Sequence, residues 1–149
     1  MPRTHRKFQS GSKLTQESKK STIQVRKTSF QKTSDRISGL PSHPEHETLK
    51  KVARGAPGII TFSTKGQEEH AVKFLKSTKV VTLAVSLGGY ESLAEHPASM
   101  THANVPKEHR EALGITDTMI RMSVGLEDAE DIIADLDNAL KQALPEGNF

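Results

Sequence analysis

Charge and apolar residues segregate along this 149-residue chain, and the segregation limits what can fold. Residues 1 to 36 hold ten Lys or Arg against Glu17 and Asp35 and are rich in Ser, Thr and Gln, whereas the remainder carries eleven basic and sixteen acidic residues. A stretch of the first kind buries too little apolar surface to offset the entropy of ordering it. The expectation is a basic disordered arm over 1–38 and one domain of ordinary size over 39–149. A basic arm can touch nucleic acid or acidic lipid heads by counterion release. No aromatic interleaving or nucleic-acid fold accompanies it, so a solvated tail is expected and nucleic acid is not an expected partner. Its Arg- and Ser-rich, acid-poor composition also suits a transit peptide, without an amphipathic helix to support one.

Cysteine is absent, which removes disulfide scaffolds, thiolate metal sites and thiol nucleophiles together. No apolar run approaches the roughly 20 residues that span a bilayer. The chain therefore reads as soluble and cytoplasmic, with no membrane partner.

From about Leu40 short apolar runs alternate with helical spacing. Pro44 and the acids after it start a short helix over Glu45–Ala53. Ile59, Ile60 and Phe62 form a first strand, and Gln67–Ser77 puts Ala71, Phe74 and Leu75 on one helical face. Val80–Val85 reads as a buried strand stopped by Ser86-Leu87-Gly88-Gly89. A helical turn over Ser92–His96, an ordered loop over Ser99–Val105 and a short helix over Lys107–Leu113 follow. Thr118–Val124 is a third strand. The clearest helix comes last, with Ile132, Ile133, Leu136, Leu140, Ala143 and Leu144 at three- and four-residue steps and Pro145 as its stop. The fold expected is α+β, with a small mixed or antiparallel sheet of about three strands and helices packed mainly on one side.

Few residues in this frame suggest chemistry. His43 and His46 are spaced for one helical face, but no third ligand declares itself, so two solvated imidazoles are expected and no metal. Glu127, Asp128, Glu130 and Asp131 are explained by the positive end of the following helix and are assigned no catalysis. Arg121 stands in the middle of an apolar strand, where a guanidinium is costly unless paired. Either it salt-bridges a structural carboxylate or it awaits an anionic ligand that it grips bidentately. Gly88 and Gly89 after an apolar strand permit a sharp turn or the close approach of a ligand.

These residues also occur in an ordered set. Leu83-Ala84-Val85-Ser86-Leu87-Gly88-Gly89-Tyr90-Glu91-Ser92-Leu93 is followed by His96-Pro97-Ala98-Ser99-Met100-Thr101-His102, then Gly114-Ile115-Thr116-Asp117, then Ile120-Arg121-Met122-Ser123-Val124-Gly125-Leu126-Glu127-Asp128. With Gly39-Leu40-Pro41-Ser42-His43-Pro44 at the entry, the set resembles the C-terminal domain of the pyridoxal-phosphate enzymes of cysteine and methionine metabolism, which has an aspartate-aminotransferase-like fold. The nearest in flavour are the cystathionine and methionine γ-lyases, and the resemblance runs from about Gly39 to Leu144. It implies that Arg121 binds the substrate α-carboxylate, which would explain a buried cation without a local partner. It implies that Ser86 lies beside the cofactor and its lysine, that Gly88 and Gly89 open the pocket, and that Thr101 and His102 line the approach. Val85 stands where cystathionine γ-lyases commonly carry Glu, as it does in methionine γ-lyases.

In that family the cofactor ring acts as an electron sink for elimination of the γ carbon–sulfur bond of an amino-acid substrate. The lysine, phosphate-binding groups, aspartate and stacking tyrosine come from a larger N-terminal domain that has no counterpart in these residues. Thr22-Ile23-Gln24-Val25-Arg26 faintly resembles the start of the interdomain helix, and the rest of that helix is skipped before Gly39. Lys50, Lys51, Lys65, Lys73, Lys76 and Lys79 are available amines outside the family's cofactor-lysine context. The expectation is a truncated transsulfuration lyase that does no chemistry alone, with a homo-oligomer or a full-length homologue as possible partner. The alternative is a non-catalytic interaction module or pseudoenzyme.

Overall fold

The structure, a computed structural model, describes residues 38–144; the arm up to residue 37, Thr22–Arg26 within it, and Pro145 lie outside the described residues. In chain order the elements are α1 (His46–Val52), β1 (Ile59–Ser63), α2 (Glu68–Ser77), β2 (Thr82–Leu83), β3 (Leu93–Glu95), α3 (Lys107–Ala112), β4 (Met119–Ser123) and α4 (Ala129–Ala143). The four strands form one sheet in the order β1-β4-β3-β2. β4 pairs antiparallel with β1 and β3, and β3 pairs parallel with β2. The sheet is therefore mixed, with one strand more than the pattern of apolar runs suggests.

β4 organises the sheet because its residues alternate in kind. Ile120 and Met122 are buried with Phe62 of β1 and Ala94 of β3 against Ala71, Phe74 and Leu75 of α2 and Ile132, Leu136, Ala139, Leu140 and Ala143 of α4. Burying each large side chain of this set contributes about 1.5–3 kcal/mol relative to leaving it exposed. Both core helices start on side-chain caps. The N–H of Gln67 donates to His70 Nδ1 (2.9 Å) at α2, and Asp128 accepts from the N–H of Glu130 (2.9 Å) at α4, satisfying orphan groups at the helix starts. α1 buries no residue. The imidazoles of His43 and His46 are engaged locally, His43 Nδ1 by the N–H of Glu45 (3.1 Å) and His46 Nδ1 with the carbonyl of Ser38 (3.1 Å).

The apolar run Val80–Val85 is not one buried strand. Only Thr82 and Leu83 pair, with Leu93 and Ala94, and both are exposed at the sheet edge. The cause is Asp135 of α4, whose carboxylate accepts the N–H groups of Lys79 (2.8 and 3.1 Å), Val80 (2.9 Å) and Val81 (3.0 Å). Those donors are withdrawn from the ladder, so pairing begins at Thr82. The helical turn expected over Ser92–His96 is instead strand β3, every residue of which is buried. Two flanking strands satisfy its backbone, and its one charged residue, Glu95, meets a cation across the sheet.

Candidate functional site

Arg121 lies on the sheet face opposite Ile120 and Met122, with Thr61 of β1 and Glu95 of β3 as its neighbours in register. Its guanidinium forms an ion pair with Glu95 through Nη2. The expectation of a buried cation without a local partner is therefore corrected, since the antiparallel register sets an acid directly beside it. The two members differ in exposure. The Glu95 side chain is 1% exposed and that of Arg121 31%, so the pair has a closed end in the sheet and an end that still reaches solvent. Glu95 Oε2 and Arg121 Nε make no hydrogen bond among the described residues.

The Val85–Gly89 loop is tied beside this pair. The N–H of Gly88 donates to Ser123 Oγ at 2.8 Å, and Ser123 shares its strand face with Arg121. Gly88 has φ of 78° and nothing within 4 Å of where a Cβ would stand, so its glycine is required by backbone conformation and not by space. Val85, Ser86 and Gly89 are exposed.

The far side of the loop is fastened to the segment after β4. Leu126 N–H donates to the Tyr90 carbonyl (2.8 Å) and Gly125 N–H to Ser92 Oγ (2.9 Å). Glu127 accepts both the N–H and the hydroxyl of Ser92, each at 2.7 Å. Glu127 thus stands before the Asp128 cap and staples two loops, a role that a helix-start charge does not describe. Burial alone would raise its carboxyl, but the Ser92 hydrogen bonds and one from its own backbone outweigh that and hold it below the usual carboxylate range. A depressed folded-state value adds stability that is present above the unfolded value and lost as pH falls through the folded one. Urea unfolding of Glu127→Gln is expected to show a shallower loss of stability on acidification than the wild-type chain; parallel pH profiles would refute the staple.

Thr101 and His102 lie on the segment between β3 and α3. The loop carrying them leaves β3 after Glu95, at the end of the Arg121 region opposite to Gly88. It is anchored by the buried His96, whose Nε2 bonds the Asp117 carbonyl (2.8 Å) and whose Nδ1 bonds Ser99 Oγ (2.7 Å). Asp117 pairs with Lys107 and with Arg110 Nη1 (3.1 Å), and Lys107 foremost holds its carboxyl below the usual range. Thr101 is exposed and its hydroxyl bonds its neighbour His102 Nδ1 (2.9 Å), with no bond to Arg121. The register thus brings together Arg121 and, through Ser123, Gly88.

Sequence reasoning missed Glu95, Ser123 and Glu127. A signal for Glu95 exists: it is an acid directly after Leu93-Ala94 and before His96-Pro97-Ala98. The lysines among the described residues lie on the four helices and in the turns at Lys65 and Lys79; none lies on β3, on β4 or in the Val85–Ser92 loop. A pyridoxal-phosphate site requires an amine for the aldehyde, an acid at the ring nitrogen and donors for the phosphate. Ser86 offers one exposed hydroxyl, so the described residues do not fit the whole group. They fit a carboxylate, for which a part-exposed, immobilised guanidinium is the matching donor.

The fold is that of a domain found in solved lyases. The chain superposes on cystathionine gamma-lyase from yeast with a TM-score of 0.80 and 42% identity, covering 87% of this chain and 33% of that one. It superposes on a protein described as an O-acetylhomoserine (thiol)-lyase from Campylobacter jejuni, which carries a pyridoxyl-lysine monophosphate group, with a TM-score of 0.78 and 33% identity, over 87% of this chain and 31% of that one. Residues 21–141 match the family described as Cys/Met metabolism PLP-dependent enzyme, and the chain belongs to that family. Cystathionine gamma-lyase of Bos taurus is 63% identical over 107 residues and that of Homo sapiens 61% identical over 107 residues, in each case 72% of this chain and 26% of the relative. The chain thus spans about a quarter of the length of these curated relatives. The family match begins at residue 21, within the stretch read as an arm and outside the described residues.

Proposed function

We propose that residues 39–149 are the substrate-carboxylate domain of a carbon–sulfur γ-lyase of the cystathionine γ-lyase type, preceded by a basic arm over 1–38, and that this chain alone does not catalyse. One observation carries the reading: a guanidinium on the central strand is fixed from behind by a buried acid and still open to solvent, with the Ser86–Gly89 loop tied beside it. Arg121 would bind and orient the carboxylate of an amino acid. The Gly88 tie to Ser123 would keep the loop open beside it, and Ser86 would face the cofactor. Pyridoxal phosphate would supply the electron sink when held by a longer relative, a second copy or a further domain; carboxylate binding alone stabilises no carbanion.

Two measurements test this. Purified chain mixed with pyridoxal phosphate and cystathionine is expected to release no α-keto acid and to gain no visible absorbance of a lysine-bound cofactor; turnover would overturn the reading. Glycine titrated into the chain is expected to move the Arg121 side-chain NMR signal. Arg121→Lys keeps a cation beside Glu95 but loses the fork, and is expected to weaken that binding about tenfold. An unchanged affinity would remove Arg121 from the site.

The second reading, a non-catalytic module docking on a full-length relative, is favoured by exposed Val85, Tyr90 and Leu126. The Tyr90–Leu126 backbone bond sets two of them side by side, and apolar patches of that kind mark association surfaces. Co-purification with a longer family member that is lost in Tyr90→Ser/Leu126→Ser would support it, and a monomer with no partner would count against it.

A further inference from the structure

We propose that Glu95 determines which carboxylates Arg121 accepts: it disfavours a bare anion and favours a carboxylate that carries a cation beside it, as an α-amino acid does. The inference rests on the reading of Arg121 as a carboxylate anchor and adds a specificity-determining residue to it. Glu95 is completely buried, and Arg121 is its ion-pair partner. No other donor among the described residues shares its charge, because neither carboxylate oxygen makes a further hydrogen bond. The neighbour of Arg121 on its other side, Thr61, is uncharged. Lys107 and Arg110 are committed to Asp117. The pair is therefore close to neutral as a whole, with its negative member shielded from water and its positive member reaching the surface.

A bare carboxylate arriving at Arg121 meets the guanidinium first and the Glu95 charge a few ångströms behind it. In a partly desolvated site that repulsion is comparable with the attraction it opposes. A zwitterion brings its own positive charge within the same distance, so its net interaction with Glu95 is much smaller and the contact with Arg121 is retained. Glu95 also immobilises the guanidinium, which spares a ligand the cost of ordering it.

The test uses the full chain, with acetate and glycine as probes at one pH and ionic strength, read at the Arg121 side-chain NMR signal. The wild-type chain is expected to bind glycine at least about threefold more tightly than acetate, and Glu95→Gln, which keeps the shape and one acceptor oxygen, is expected to raise acetate affinity about tenfold and glycine affinity less. An unchanged acetate-to-glycine ratio in Glu95→Gln overturns the assignment. So does acetate binding as tightly as glycine in the wild-type chain, a result that does not depend on the variant folding. If neither probe binds either protein, the carboxylate anchor itself fails, and the assignment with it.

Discussion

Asp135→Ala is expected to destabilise the domain by about 3–5 kcal/mol, a large part of the stability of an ordinary domain. The carboxylate is buried and accepts the N–H groups of three successive residues, Lys79, Val80 and Val81. An alanine leaves those donors without a partner, and each buried unsatisfied group costs about 1–3 kcal/mol. Lys79 is exposed while Val81 is buried, so water can replace the acid at the first donor and not at the last. The sum is accordingly smaller than three full penalties. A thermal melt should show the midpoint falling by about 15–30 °C. Asp135→Asn retains one acceptor oxygen and should recover part of the loss; a melt of Asp135→Ala within a few degrees of wild type would exclude this anchoring role. The consequence extends to the sheet, because β2 starts where the Asp135 bonds end.

Gly125→Ala is the second large effect, expected at about 2–4 kcal/mol. A Cβ at this position would stand 2.4 Å from the Glu91 carbonyl carbon, 2.5 Å from the Tyr90 oxygen and 2.6 Å from Glu127 Oε2. Two of those atoms are backbone and cannot rotate away, so the Tyr90–Ser92 segment must shift and take the Ser92–Glu127 staple with it. Gly55, which has nothing within 4 Å of its Cβ position, is the control: Gly55→Ala should change the urea midpoint little. Equal effects at the two glycines would show that the Gly125 contact is not what selects glycine there. Because the displaced segment continues into Val85–Gly89, Gly125→Ala should also weaken glycine binding at Arg121, which Gly55→Ala should not.

Much of the fold was legible from local pattern. The apolar steps from Ile132 to Leu144 describe α4, and the alternation around Arg121 describes β4, because both periods are properties of a continuous stretch. The ordered motifs from Leu83 to Asp128 pointed to the family that the comparisons establish. What failed did so where the deciding contact is distant. Leu93-Ala94-Glu95 reads as a helical turn in isolation and becomes a strand because β2 and β4 flank it. Val80–Val85 reads as a strand throughout, and its first residues are taken instead by an acid from α4. Glu127 reads as part of a helix start and is spent on Ser92, which lies on another loop.

By itself the sequence determined the α+β class, the strongest helix and the presence of a costly cation on an apolar strand. Those follow from composition and from periods of two and 3.6 residues, which any window of the chain displays. Only the tertiary structure decided what that cation touches. Glu95 and Arg121 belong to different strands, and Asp135 reaches its three donors from a helix far along the chain. Each pairing is set by the register and packing of segments distant in sequence, and a buried charge takes whichever partner that packing brings within reach.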